Sequence, residues 1–182
     1  MNLSVKVVLD RFDAFLEQRK LKYETTVIGG AALIVMGITN RRTRDVDCLT
    51  PSIPLEIQQA AKEFAKSESD LGLDEDWFNN GPALLAGDLP EGWQSRRVPL
   101  YRGKALVLIT LGRIDCLRAK IFAYLDRQKD LDDCVALKPS PDELKECYPW
   151  LQERDLNPLW PQHVRTSLIL IAKRMGYELK LG

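Results

Sequence analysis

Between Val27 and Leu49 the chain reads VIGGAALIVMGITNRRTRDVDCL. A Gly-Gly pair enters a short, wholly apolar helix over 31–36, which must be buried because it has no polar face. Gly37 stops that helix, a loop with three arginines follows, and Asp45-Val46-Asp47 opens a second apolar segment over 44–49. Residues two apart in an extended strand project to the same side. Asp45 and Asp47 therefore project together, and Val46 and Cys48 face the opposite way, into a core. The β-forming segment 23–28 (YETTVI) precedes the glycines. The run thus demands strand, buried helix, strand, with the helix packed on one face of a small sheet. Paired carboxylates on one rigid edge suit a hard cation such as Mg²⁺. A glycine turn entering a helix offers backbone N–H groups to a phosphate. Together they point to a site for a metal-bound nucleotide.

The remainder of the chain sets limits on that reading. Its 182 residues suffice for one domain with a full core and a helical appendage. Lysine plus arginine number 26 and aspartate plus glutamate number 26, a balance that argues against a dedicated nucleic-acid or membrane-surface protein. No apolar run is long enough to span a bilayer. Cys48, Cys116, Cys134 and Cys147 lack the close spacing of a zinc site, and no signal peptide precedes them. They read as reduced, buried residues of a cytoplasmic protein. His163 is the single histidine, which disfavours a histidine-based catalytic triad.

Periodicity supplies the other elements. Leu3, Val7, Val8, Phe12, Phe15 and Leu16 predict a helix over 3–19, and 54–66 reads as a second amphipathic helix. An acid- and glycine-rich stretch, 67–92, contains the patch Asp74-Glu75-Asp76-Trp77-Phe78-Asn79-Asn80-Gly81-Pro82. Segments 97–101 and 105–109 predict a hairpin turning at Arg102-Gly103-Lys104. Thr110 is the expected N-cap of a helix over 111–127, and 128–137 continues as a second helix or a bent extension. Ser140-Pro141-Asp142-Glu143 is a capping box for a helix ending near Arg154. Pro158 and Pro161 separate it from a last helix over 162–175, closed by Gly176. The expected fold is α/β (α+β), a small mixed sheet flanked by helices over 1–137, with a helical extension over 138–182.

Each chemical motif has a plain reading beside the functional one. Asp45 and Asp47 are either part of a surface network with Arg41, Arg42 and Arg44, or ligands of a divalent metal that aligns a nucleoside triphosphate. Gly29-Gly30 is either a close-packed turn or a phosphate-facing loop. In KIFAYLDRQKDLDD, residues 120–133, Lys120, Tyr124 and Arg127 share one helix face, with Lys129, Asp130 and Asp133 continuing the polar side. They form either a solvated ion-pair ladder or a cationic wall that holds phosphates.

The ordered set resembles the nucleotidyltransferase-fold superfamily, marked by a glycine pair at a helix start and a strand with Asp-x-Asp. Here Gly29-Gly30 and Asp45-Val46-Asp47 stand in those places, fourteen residues apart. The chain is most similar to the AbiEii-type branch of abortive-infection toxin–antitoxin systems. The residues that carry this likeness are Gly29-Gly30-Ala31-Ala32, Arg42-Thr43-Arg44-Asp45-Val46-Asp47 and Lys120…Arg127…Lys129-Asp130…Asp133. The Trp77-Phe78-Asn79 patch looks like a segment of little-characterised bacterial relatives. The resemblance implies that Asp45 and Asp47 ligate Mg²⁺ and that Gly29 and Gly30 face the triphosphate. It implies that Lys120, with Arg44 and Arg127, binds nucleotide phosphates, and that Asp130 is the later motif acid. The implied reaction moves a nucleoside monophosphate from a nucleoside triphosphate to an RNA or protein acceptor, within a system holding a cognate antitoxin or partner protein.

One departure is plain. Many active superfamily members carry a third carboxylate on a later strand, and Ala105-Leu106-Val107-Leu108-Ile109 has none. Asp88 and Asp115 are the candidate substitutes. A catalytically inactive binding module for a partner protein, anchored by Trp93, Trp150 and Trp160, is the alternative. An RNA-binding rim of Arg41, Arg42, Arg44, Arg96, Arg97, Arg102 and Lys104 is a third reading.

Overall fold

The structure, a computed structural model, describes residues 5–40, 43, 45–129 and 131–181. Arg41, Arg42, Arg44 and Asp130 lie outside the described residues. The chain forms two compact units, Met1–Leu111 and Gly112–Gly182.

The first unit is built on the strand, helix and strand that the glycine and aspartate motifs demand. Strand β1 (Tyr23–Ile28) passes directly into helix α2 (Gly29–Val35), and the chain returns as β2 (Val46–Thr50). Helix α1 (Val5–Gln18) precedes them and α3 (Leu55–Ser67) follows. Strand β3 is only Phe78–Asn79, α4 is Leu85–Asp88, and β4 (Val98–Arg102) and β5 (Leu106–Thr110) form a hairpin. The five-stranded sheet has the order β3-β2-β1-β5-β4. It is mixed: β1 runs parallel to β5 and β2 parallel to β3, while β1–β2 and β4–β5 are antiparallel.

One face of this sheet meets an aromatic core. Leu9, Phe12 and Leu16 recur along α1 at helical spacing and are all but inaccessible. The Phe12 ring lies 5.2 Å from Phe64 of α3 and 5.1 Å from Trp77. Trp77 is fully buried and donates its indole N–H to the Ala61 carbonyl at 3.1 Å. The acid-rich stretch therefore contributes a core tryptophan and an edge strand, because Val46 pairs with Phe78 and Asp47 with Asn79.

The hairpin lies one residue later than the sequence predicts, and α1 fixes its turn. The buried Asp13 carboxylate accepts the backbone N–H groups of Lys104, Ala105 and Leu106 at 3.1, 2.8 and 2.7 Å. A Cβ on Gly103 would fall on that carboxyl group, so the turn requires glycine there. Thr110 is not an N-cap. It is the last residue of β5, and its hydroxyl donates to the Val27 carbonyl at 2.8 Å.

The second unit is helical. Gly112 caps α5 (Arg113–Arg127), which ends where Gln128 turns left-handed. Helices α6 (Leu131–Ala136), α7 (Pro141–Gln152) and α8 (Trp160–Arg174) follow. The Ser140–Glu143 capping box is formed in both directions, at 3.1 and 2.8 Å. Pro161 sits inside the first turn of α8, a position that tolerates a missing N–H. Leu117, Ile121, Leu144, Leu151, Val164 and Leu168 close the core of this unit. All four cysteines are buried and unbridged. Among the described residues no helix is long and apolar enough to cross a membrane.

Candidate active site

Asp45 lies just ahead of β2 and is exposed, and Asp47 is the second residue of β2 and half-buried. Val46 and Cys48 belong to the core cluster, so the alternation across the strand is the one the pattern requires. The acids are not sunk in the core: Asp45 is exposed and Asp47 only half-buried. Asp45 reaches water, so its charge needs no buried countercharge.

Asp47 is the centre of the arrangement. It pairs with Ile28 of β1 on one side and Asn79 of β3 on the other. Gly29, the next residue after Ile28, has φ +77°. A Cβ there would lie 2.5 Å from Asp47 Oδ2. The absence of a side chain at Gly29 is what lets the carboxylate lie over the strand-to-helix turn. On the other flank Asn79 Nδ2 donates to Asp47 Oδ1 at 3.4 Å, a long hydrogen bond. Asn79 is itself oriented, because its Oδ1 accepts the Gly81 N–H at 2.7 Å. Asn79 was legible in the sequence only as part of an unusual Trp-Phe-Asn-Asn-Gly run. Its contact with Asp47 depends on pairing between residues 32 apart in the chain.

Among the described residues no group of three or more His, Cys, Asp or Glu side chains is assembled to hold a metal. Two carboxylates on one strand end nevertheless fit Mg²⁺, which binds through one or two carboxylates and completes its shell with water and substrate phosphates.

The second motif lies in the helical unit. Lys120 and Asp133 form a buried pair with Nζ–Oδ2 2.6 Å, their side chains 6% and 3% exposed. This is a desolvated pair, not a solvated ladder. Tyr124, expected on the polar face, is buried, and Arg127 is exposed with its Nε donating to the Ala123 carbonyl at 3.4 Å. Gly29, Asp45 and Asp47 are thus gathered in the first unit, and Lys120 and Arg127 belong to the second.

A family model described as nucleotidyltransferase of unknown function (DUF6036) matches residues 7–138, well over half of the chain. The chain belongs to this family. The match spans both motifs of this nucleotidyltransferase-family member, from the glycine pair through the Lys120–Asp133 segment, and stops before α7. No curated protein and no solved structure matches the chain.

In this family member the strand lacking an acid is β5. Its residues Val107 and Ile109 pair with Glu24 and Thr26. Of the two substitutes considered, Asp88 is exposed at the end of α4. Asp115 is fully buried and held by Arg118 at 3.0 Å, with Arg118 also reaching Glu146 at 3.2 Å. The tryptophans proposed as interface anchors are largely core. Trp93 and Trp160 are buried and donate to the Ala86 and Leu151 carbonyls, while Trp150 is half-buried. The basic rim is also partly engaged, since Lys104 pairs with Glu17 at 3.2 Å and Arg96 donates to the Glu91 and Pro90 carbonyls.

Proposed function

We propose that the protein is a Mg²⁺-dependent nucleotidyltransferase, transferring a nucleoside monophosphate from a nucleoside triphosphate to an RNA or protein acceptor. The observation that carries this reading is the apposition of Asp47 and Gly29, where a carboxylate lies against a glycine turn that has no room for a Cβ. Asp45 and Asp47 would hold the metal, and Gly29 and Gly30 would face the triphosphate. Bound Mg²⁺ would supply charge neutralisation for the departing pyrophosphate. The acceptor hydroxyl oxygen would attack the α-phosphorus in line and lose its proton to water, while the bond from that phosphorus to the oxygen bridging to the β-phosphate breaks and pyrophosphate leaves with the electron pair. Lys120, Arg44 and Arg127 would bind nucleotide phosphates and Asp130 would be the later motif acid, the roles that the resemblance implies. The finer kinship, with the AbiEii-type branch and a toxin–antitoxin setting with a cognate antitoxin, belongs to the same proposal.

The test is incubation with Mg²⁺ and each labelled nucleoside triphosphate, scoring pyrophosphate release and label transfer to RNA and protein. Turnover that vanishes in Asp45→Asn and Asp47→Asn, with the fold intact, supports the reading. Absence of any metal-dependent nucleotide affinity at millimolar concentration would sink it. A second reading, a catalytically inactive module for a partner protein, draws on one observation: β5 has only Val107 and Ile109 where an acid could have faced the Asp47 side. Metal-dependent nucleotide binding without turnover would favour that module.

A further inference from the structure

The sheet brings one more charged side chain to the Asp45–Asp47 end. Strands β1 and β5 run parallel, and β2 and β4 run against them. The carboxyl ends of β1 and β5 and the starting ends of β2 and β4 therefore lie at the same end of the sheet. Gly29, Asp45, Asp47 and Arg97 all sit there, Arg97 immediately preceding β4.

The face is shared as well. Val27 and Cys48 are partners and both belong to the core cluster. Ile28 and Asp47 are the next pair, so they face the other way. The register of β1 with β5 is unbroken from Tyr23 to Val27, so β1 keeps its alternation and Thr26 faces the same way as Ile28. The irregularity near Thr26 places the extra residue in β2. Arg97 Nη1 donates to Thr26 Oγ1 at 3.0 Å, and Arg97 Nε donates to the Gln94 carbonyl at 2.9 Å. A guanidinium is thus fixed on the Asp47 face, two residues along β1 from the partner of Asp47.

The segment that delivers Arg97 is pinned. Trp93 is buried with its indole N–H on the Ala86 carbonyl. Arg96 is engaged with the carbonyls of Glu91 and Pro90. Arg97 differs: two of its nitrogens orient the fork, and Nη2 has no hydrogen-bond partner among the described residues. An oriented, half-buried guanidinium with donors to spare suits a phosphate oxygen better than a mobile lysine does.

We propose that Arg97, oriented by Thr26, is the cation that receives the polyphosphate tail of the nucleotide at this end of the sheet. This rests on the transferase reading above, and it adds a residue from outside both sequence motifs. The site takes a linear polyphosphate, and Thr26 is a positioning residue that acts through Arg97.

The experiment measures binding of inorganic tripolyphosphate without metal, and separately turnover of the Mg²⁺ nucleotide, with the full chain. Arg97→Met should weaken tripolyphosphate by about tenfold, one lost charge-assisted contact. Arg97→Lys should fall between, having charge without the fork. Thr26→Val should weaken binding in the wild-type background and add nothing in Arg97→Met, a non-additivity that a general loss of stability would not produce. Asp47→Asn should leave metal-free tripolyphosphate binding intact or stronger while removing turnover. Wild-type affinity retained by a folded Arg97→Met overturns the proposal, as does no tripolyphosphate affinity in wild type. If Asp47-dependent turnover persists with an unchanged KM in Arg97→Met, the transferase reading stands and the Arg97 assignment fails. If Arg97-dependent polyphosphate binding appears without turnover of any nucleotide, the assignment stands and the transferase reading fails.

Discussion

Replacing Gly29 by alanine tests the central geometry of the site through stability alone. Two separate penalties apply. Gly29 has φ +77°, and placing an L residue in the left-handed region costs about 1–2 kcal/mol. The new Cβ would also lie 2.5 Å from Asp47 Oδ2, inside any allowed contact, and relieving such an overlap costs roughly 1–3 kcal/mol. Gly29→Ala should therefore destabilise the protein by about 2–5 kcal/mol. In an Asp47→Ala background the second penalty disappears and the first remains. The double-mutant cycle should show a coupling of about 1–3 kcal/mol in the direction of relief. Urea unfolding followed by tryptophan fluorescence reads this, since Trp77 is buried in the same unit. Independent sites add to within about 0.3–0.5 kcal/mol. Additivity within that margin would show that Asp47 does not lie against Gly29 and would remove the observation on which the transferase reading rests.

Three further perturbations address the rest of the molecule. Asp13→Ala should cost about 2–5 kcal/mol, because it orphans the buried N–H groups of Ala105 and Leu106; Asp13→Asn, retaining one acceptor oxygen, should cost less. Burial pushes the Asp13 carboxyl up, but the N–H groups of Ala105, Leu106 and Lys104 outweigh it and hold the group below its ordinary value. Its contribution is therefore full above about pH 4 and lost as pH falls through the lower folded value, so stability curves of wild type and Asp13→Asn should converge in acid. Breaking the Lys120–Asp133 pair by Lys120→Met or Asp133→Leu alone should cost about 3–5 kcal/mol, and the double apolar variant should recover most of it. Assayed for turnover, that refolded double variant separates a structural Lys120 from a phosphate-binding one. Ser140→Ala removes one half of the capping box and should cost about 1 kcal/mol in chemical denaturation.

The parts of this fold that were legible from the chain are those whose cause is local. Periodic apolar residues mark α1 and α3, the Ser140–Glu143 spacing marks the start of α7, and a segment with five β-formers in six residues marks β1. Elements fixed by partners far along the chain carry no reliable local mark. Trp77-Phe78-Asn79 carries no strand signal of its own. It becomes β3 because Val46 and Asp47 offer it a ladder and Ala61 accepts from its indole. Thr110 has the composition of an N-cap, but the Val27 carbonyl claims its hydroxyl and leaves Gly112 to open α5. Lys120 sits in a polar-looking helix, and only the return of the chain through α6 supplies Asp133 and buries both.

The same division runs through the candidate site. Gly29, Asp45 and Asp47 are close in sequence, and a single strand-helix-strand unit forces them to one end of one sheet, so spacing alone could nominate them. Arg97 and Thr26 are 71 residues apart. In the sequence Arg97 is one basic residue of a dispersed set, indistinguishable from Arg96 beside it. The fold separates the two: Arg96 turns back onto its own loop, whereas Arg97 reaches across the sheet to β1. A charge is assigned to a site by where its strand ends, and strand order is the property least visible in a single sequence. If Arg97→Met and Arg96→Met weakened polyphosphate binding equally, the effect would be one of general basic character, and the topological argument for Arg97 would fall.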